Sequence, residues 1–356
     1  MEKNKIAVAM SGGVDSTFAA ITLKQKGYQV IGVTLKMFCH QRPAHKKTQE
    51  QNFQEVKEIC DQLSIPHHLI DAEEVFEDIV INDFIQNYIN GITPNPCVIC
   101  NKKIKWELVL DKIQDFGAAK IATGHYAEIE FNKEYQRYLI KRGKDYKKDQ
   151  SYFLWMLNQD ELSRTILPLA QYSKKYIKNQ LDKHDLNFTK KEESQDICFI
   201  PDNDYNYFIK ERVPEAIHAG NIIDVEEKVL GVHKGIPFYT IGQRRGLGIS
   251  ANEPLYVIEI RKNTNEIVVG PRNSLYKKEL DAINCNWIKF KRLNKPIKAK
   301  AQIRYNSKSS DCIILPQSFG IKVVFANPQK GVTPGQSVVF YDADYVIGGG
   351  IIQNSS

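Results

Sequence analysis

No apolar run in the 356 residues approaches the length of a membrane span, and nothing after Met1-Glu-Lys-Asn-Lys resembles the apolar core and small-residue cleavage site of a secretory signal. A helix that crosses a bilayer needs about 20 apolar residues in succession, and a signal needs a cleavable apolar segment. The expectation is therefore a cytoplasmic chain. Internal repeats and low-complexity segments are also missing, so nothing suggests a tail or tether. Seven cysteines, an odd number at irregular spacing, do not form a disulfide framework in a chain of this size. Cys39, Cys60, Cys285 and Cys312 read as buried or incidental thiols, which leaves Cys97, Cys100 and Cys198.

What is present is the composition of a globular protein, 42% hydrophobic and 26% charged. At roughly 100 to 200 residues per domain, two or three folding units are expected. The formal net charge of +7 fits an anionic partner such as RNA without requiring one. Between positions 288 and 304, Lys289, Lys291, Arg292, Lys295, Lys298, Lys300 and Arg304 occur with no Asp or Glu. That stretch is either a solvated strand face or a basic surface for RNA.

The first 200 residues alternate short apolar runs (6–10, 30–35, 67–71, 121–124) with amphipathic stretches (16–26, 49–63, 75–90, 105–116, 173–184). This rhythm predicts a parallel sheet with helices on both faces. The polar segment His40–Thr48 reads as a mobile loop. Beyond Pro201 short alternating runs separated by Gly, Pro and Asn predict small antiparallel sheets or a barrel. The expected fold class is α/β: an N-terminal parallel-sheet domain over 1–203, a small central α+β domain over 204–275 and a C-terminal β-barrel over 276–356.

The strand at 6–10 runs into Ser11-Gly12-Gly13-Val14-Asp15-Ser16 and then an alanine-rich helix. Two glycines and two hydroxyls at a helix N-terminus suit a phosphate, because free backbone N–H groups and the helix dipole attract an anion and glycine lets the backbone approach. The lysine of a G-x-x-x-x-G-K-[ST] loop is missing, so this is not a γ-phosphoryl-transfer loop. The string SGGVDS after a first strand resembles the pyrophosphate-binding loop of the ATP pyrophosphatases (PP-loop, adenine nucleotide alpha-hydrolase-like), which adenylate an oxygen and release pyrophosphate. That loop gives the chemistry and leaves the substrate open.

Further along come TPNPCVICNKKIKW, ATGHYA, KDQSYFLW, QDICFI, TIGQRRGLG and VTPGQSVVFYD. Cys97 and Cys100 stand in a Cys-x-x-Cys spacing just before a helix expected near Asn101, where a thiol pKa is lowered. Taken together in this order, the motifs resemble the tRNA-specific 2-thiouridylases over nearly the whole chain, from residue 6 to about 352. The weakest stretch is 40–48.

The resemblance implies an ATP-dependent sulfurtransferase with ATP and Mg²⁺ as substrate. The wobble uridine C2 oxygen is adenylated and pyrophosphate leaves. Cys198 carries sulfur as a persulfide, which attacks C2 directly or after Cys100 releases it as hydrosulfide. AMP departs and a transient Cys100–Cys198 disulfide remains. Two cysteines are the minimum, since the oxygen leaves only once adenylated and a persulfide is a better nucleophile than a thiol. By motif, Ala9, Met10, Ser11, Gly12, Gly13, Val14, Asp15, Ser16, Leu35 and Gly124 would hold ATP. Asn95, Pro96 and Cys97 would meet the target base, turned out of its stack. His125, Lys148, Asp149, Gln150, Arg304, Tyr305 and Gln336 would touch tRNA. Arg304 ends the basic stretch and favours its RNA reading.

The best-known members of that family carry Asp where this chain has Cys97. Cys97 therefore packs against the base, or joins Cys100 and Cys198 as ligands of a [4Fe-4S] cluster, as in related tRNA thiolases. No metal is assigned from the sequence. The family implies tRNAs for lysine, glutamate and glutamine, and a cysteine desulfurase or sulfur-relay protein as donor. A monomer binding one tRNA is the expectation.

Overall fold

A computed structural model describes residues 4–38, 43–182 and 197–355. Cys39, residues 40–42 and Gln195-Asp196 of the motif QDICFI lie outside them.

The N-terminal unit is built on a five-stranded parallel sheet in the order β3-β2-β1-β4-β7, comprising β1 (Lys5–Ala9), β2 (Gln29–Lys36), β3 (His67–Asp71), β4 (Lys120–Ala122) and β7 (Thr165–Ile166). β1 is covered on both faces, which explains its unbroken apolar run. Ala7 faces one layer with Trp106, Val109 and Leu110. Ile6 and Val8 face the other, with Phe18, Ala19 and Leu23 of α1 (Val14–Gln25) and Val56 and Ile59 of α2 (Pro43–Gln62). α2 starts at Pro43, so most of the stretch read as a loop is helix. Proline suits a first helical turn, where its missing N–H costs nothing.

Chain order runs from β1 outward to β2 and β3, then returns to β4 on the other side of β1. That reversal between β1 and β4 is a topological switch point, where open α/β sheets bind ligands beyond the carboxyl ends of their strands.

A four-stranded sheet in the order β10-β11-β8-β9 forms the central unit, from β8 (Gly220–Ile223), β9 (Val229–His233), β10 (Tyr256–Arg261) and β11 (Glu266–Gly270). β8 and β11 pair in parallel, a departure from the antiparallel sheets expected there. The last unit closes as a six-stranded barrel, β12-β15-β14-β13-β16-β17 with β17 returning to β12. Its strands are β12 (Tyr276–Trp287), β13 (Ile297–Gln302), β14 (Ser310–Pro316), β15 (Ile321–Lys330), β16 (Ser337–Asp342) and β17 (Tyr345–Ser355).

The barrel does not stand apart from the parallel-sheet unit. β17 pairs with β6 (Arg137–Arg142), which forms a hairpin with β5 (Ala127–Asn132), so the barrel sheet runs on into the N-terminal unit. β16 faces both ways: Val338 and Phe340 point into the barrel, Val339 and Tyr341 into the N-terminal core. The apolar Val-Val-Phe-Tyr run lacks polar alternation because both faces are covered. The motif KDQSYFLW fills this seam. Tyr152 Oη donates to Ser337 O at 2.9 Å, Trp155 Nε1 to Ser337 Oγ at 3.1 Å, and Asn286 Nδ2 to Trp155 O at 2.7 Å.

Candidate active site

The loop 11–16 leaves β1 at the switch point and caps α1 without a side-chain cap on its first turn: Gly13 is the N-cap and no side chain accepts there. The first N–H groups of α1 are thus left for an outside acceptor. Gly12 has φ of 75°, a left-handed conformation that glycine adopts without strain. Ser16 Oγ donates to Gly13 O at 3.0 Å and accepts from Ser11 N at 3.2 Å, which holds the turn closed. The Asp15 carboxylate accepts from Lys174 Nζ at 2.7 and 2.8 Å and from Tyr126 Oη at 2.6 Å. Lys174, at the start of the helix Lys174–Leu181, was not picked out from the sequence; its cue is Ser173, which caps that helix by accepting from Tyr176 N.

Gly124 follows β4 on the other side of the switch point. A Cβ there would lie 2.9 Å from Asp15 Cβ and 3.1 Å from Ser16 N, so only glycine lets the two loops touch. Ala9 ends β1 and Met10 follows it, with Met10 N donating to Val33 O at 2.8 Å. Leu35, near the end of β2, is partly buried between the main core and the cluster beneath the cysteines.

The cysteine helix begins at Pro96, five residues before the expected start, and runs through Pro96–Cys100, Asn101–Leu108 and Val109–Lys112. Proline at the first position and Asn95 in a non-helical conformation ahead of it set that start. Over Asn101–Leu108 the helix takes the wider π form, an uncommon geometry that concentrates at functional sites.

Cys97 is exposed and Cys100 buried. Cys198 reaches them because Phe199, next in sequence, is buried among Phe76, Phe84 and Phe208, with ring centroids 5.7, 5.3 and 5.5 Å away. Burying a side chain of that size contributes about 2–3 kcal/mol. Cys198 itself stays exposed, and all three thiols are free.

The thiol pKa values run opposite to the sequence expectation. Burial pushes Cys100 up to about 12, and although Cys198 and Cys97 keep an exposed edge, desolvation by the surrounding protein pushes Cys198 up to about 11 and raises Cys97 as well. Desolvation of a thiolate outweighs the N-terminal dipole of so short a turn. Lys105 lowers all three, and Cys100 also feels Cys198 and Cys97. His125 Nδ1 lies 2.8 Å from Thr123 Oγ1, and burial, helped by Lys105, pushes its pKa down to about 3. It is a neutral ring, 5.4 Å from Trp106.

Both other units reach the loop before the cysteine helix. Gln336 Nε2 donates to Thr93 O and to Pro94 O, each at 2.9 Å. Thr93 N donates to Pro334 O at 3.1 Å, and Thr93 Oγ1 to Thr240 Oγ1 of the central unit at 3.2 Å. Tyr305 packs on Phe153 at 4.5 Å between centroids, and Arg304, exposed, donates to Lys330 O at 2.6 Å. Gln150 Oε1 accepts from Tyr126 N at 3.1 Å, and Lys148 is partly exposed. Asp149 is different: its carboxylate is buried, paired with Arg142 Nη1 at 2.7 Å, and accepts from Gly143 N, Ser151 N and Ser151 Oγ. It braces the loop that presents its neighbours.

Three family models cover the chain in order: tRNA methyl transferase HUP domain over residues 4–202, tRNA methyl transferase PRC-barrel domain over 206–271, and aminomethyltransferase beta-barrel domain over 277–352. The tRNA-specific 2-thiouridylase MnmA 2 of Thermoanaerobacter sp. (strain X514) is 45% identical over 356 residues, spanning 98% of both chains. The chain belongs to the tRNA-specific 2-thiouridylase family. Other 2-thiouridylases agree: MnmA 1 of Caldanaerobacter subterraneus subsp. tengcongensis is 43% identical over 98% of both chains, and MnmA of Acetivibrio thermocellus 41% over 99% of this chain and all of its own. Two model descriptions speak of methyl transfer, but the full-length relatives are 2-thiouridylases, and they decide the family. Among the described residues no helix is long and apolar enough to cross a membrane.

Proposed function

We propose that this chain transfers sulfur to C2 of a tRNA uridine, using ATP to activate the oxygen that sulfur replaces. What supports the reading is that Cys198, 98 residues from Cys100 in sequence, is near enough to act on its thiol, in a chain that also carries the glycine-rich loop at the start of α1. Gly124 touches Asp15 and Ser16, His125 follows it, and Lys105 bears on both His125 and the thiols.

In this reading the N–H groups at the start of α1 hold the ATP phosphates, with Mg²⁺ accompanying the nucleotide. The uridine C2 oxygen attacks the α-phosphorus and pyrophosphate leaves. The terminal sulfur of a Cys198 persulfide attacks C2 and AMP leaves, then the Cys100 thiolate attacks Cys198 Sγ. That breaks the S–S bond and leaves 2-thiouridine and a Cys100–Cys198 disulfide, which an external dithiol reduces. Release of hydrosulfide before attack gives the same balance. Asn95, Pro96 and Cys97 line the place of the base, and neutral His125 meets RNA by stacking or a hydrogen bond rather than by charge. The wobble uridines of tRNAs for lysine, glutamate and glutamine are the proposed targets, with a cysteine desulfurase or relay protein as the sulfur source.

The residues do not fit an iron–sulfur cluster: among the described residues no three His, Cys, Asp or Glu groups stand together as metal ligands. No step is routed through one.

The test is purified full-length protein with unmodified tRNA, ATP, Mg²⁺ and a desulfurase with cysteine. The reading expects pyrophosphate release that depends on tRNA and 2-thiouridine in the digested RNA by mass spectrometry. Pyrophosphate release indifferent to tRNA, with no thiolated nucleoside, would overturn it.

A further inference from the structure

The string Asn101-Lys102-Lys103-Ile104-Lys105 places three lysines on the π-helical stretch behind Cys100, and they have different surroundings. Lys102 Nζ pairs with Glu161 at 2.5 Å. Lys103 Nζ pairs with Glu107 at 3.0 Å, exposed to solvent. Lys105 is half-buried, and among the described residues it has no carboxylate or hydrogen-bond partner. A cation withdrawn from water is normally paired, because desolvation of an unpaired charge is costly. Lys105 instead lies close enough to Cys97, Cys100 and Cys198 to act on all three thiols.

The helix geometry explains how. Cys97, Asn101 and Lys105 follow one another at four-residue steps, on one side of the helix. The i to i+5 bonding of Asn101–Leu108 widens the turn, so Lys105, five residues after Cys100, comes round beneath it. On the same side Asn101 is buried with Oδ1 lacking a hydrogen-bond partner. An ammonium with no carboxylate partner among the described residues that acts on each of these thiols suits an anion that forms only during turnover.

We propose that Lys105 is a positioning residue for sulfur transfer, whose ammonium is the counter-ion of the Cys198 persulfide and of the attacking Cys100 thiolate. The proposal rests on the thiol roles given above. Desolvation holds these thiols above the ordinary thiol range, and Lys105 is the cation that acts against it at each of them. The titratable groups bearing on Cys100 are Lys105, Cys198 and Cys97, and those bearing on Cys198 are Lys105 and Cys97. His125, the remaining titratable group on which Lys105 acts, is neutral and offers Lys105 no competing negative charge. The sulfur anions that turnover creates are left as the partners of this lysine.

The test reads the thiols directly and needs no tRNA turnover. Iodoacetamide alkylation of Cys100 and Cys198 in the full-length protein is followed by peptide mass spectrometry between pH 7 and 10. The comparison is among wild type, Lys105→Gln, Lys105→Arg and the exposed control Lys103→Gln, each checked for an unchanged melting curve. Loss of a neighbouring cation worth about one pKa unit corresponds to a tenfold change. Lys105→Gln is therefore expected to slow alkylation of both cysteines roughly tenfold at pH 8 and to move the profile upward. Lys105→Arg is expected to restore most of the rate, and Lys103→Gln to match wild type. In desulfurase-driven thiolation Lys105→Gln lowers kcat and leaves the KM for tRNA unchanged. An alkylation profile for Lys105→Gln that superposes on wild type would overturn the proposal, whether or not the protein thiolates tRNA.

Discussion

Gln336 and Thr93, 243 residues apart, are joined by a 2.9 Å hydrogen bond from the Gln336 amide to the Thr93 carbonyl, and the same Nε2 also donates to Pro94 O at 2.9 Å. The barrel thereby grips the backbone that leads into Asn95, Pro96 and Cys97. A side chain spent on two carbonyls acts on the active site first by fixing its loop. Gln336→Ala leaves both carbonyls without that donor, and at about 0.5–1.5 kcal/mol net per bond the loop loses roughly 1–3 kcal/mol of restraint. The expected outcome is a fall in thiolation kcat with unchanged ATP affinity, measured by steady-state kinetics beside nucleotide binding.

Gly124→Ala tests the contact between the two sides of the switch point. The new methyl would sit 2.9 Å from Asp15 Cβ and 3.0 Å from Asp15 C, so the phosphate loop must move. Misplacing a binding group by even about 1 Å can cost a hundredfold. The KM for ATP is expected to rise roughly tenfold or more, while tRNA affinity in the absence of ATP stays as in wild type.

His125 gives a pH dependence of stability. Its pKa falls from 6.5 to about 3 on folding, so between those values the unfolded chain binds more protons than the folded one. Stability from this residue is complete above about pH 6.5 and is lost as pH drops toward 3, with a slope of at most about 1.4 kcal/mol per pH unit. Denaturant unfolding between pH 7.5 and 5 is expected to show a shallower decline for His125→Gln than for wild type.

Lys298 and Lys300 stand on β13 of the barrel, separated by Ala299 and followed by the buried Ala301. The Lys300–Asp311 pair at 3.1 Å is exposed and contributes little to stability. The double change Lys298→Gln, Lys300→Gln is expected to leave the melting temperature near wild type. Against log salt concentration, the slope of log tRNA affinity should flatten by roughly two units. An unchanged slope would return these lysines to a merely solvated face.

How far the sequence could be read depended on whether a signal was local. The βαβ rhythm, the loop 11–16 and the six later motifs are local, and they led to the parallel sheet, the barrel and the cysteines. The position of Cys198 beside Cys100 follows from Phe199 sinking among Phe76, Phe84 and Phe208, which no spacing within Gln-Asp-Ile-Cys-Phe-Ile displays. The early start of the cysteine helix was legible in Pro96, since proline suits a first helical turn. The thiol pKa values reversed because burial is a tertiary property, while the helix dipole can be read from sequence. Asp149 was expected among the tRNA contacts, and only the fold supplies Arg142 and the donors that occupy its carboxylate. Lys174 and Lys105 escaped notice because a lysine gains meaning only from what stands opposite.

The most direct test of the two-cysteine account is desulfurase-driven thiolation of unmodified tRNA by wild type, Cys100→Ser, Cys198→Ser and Cys97→Ala, with bound iron quantified for each. The account predicts 2-thiouridine from wild type and from Cys97→Ala, and none from Cys100→Ser or Cys198→Ser. Loss of product in all three variants, with activity following iron content, would contradict it.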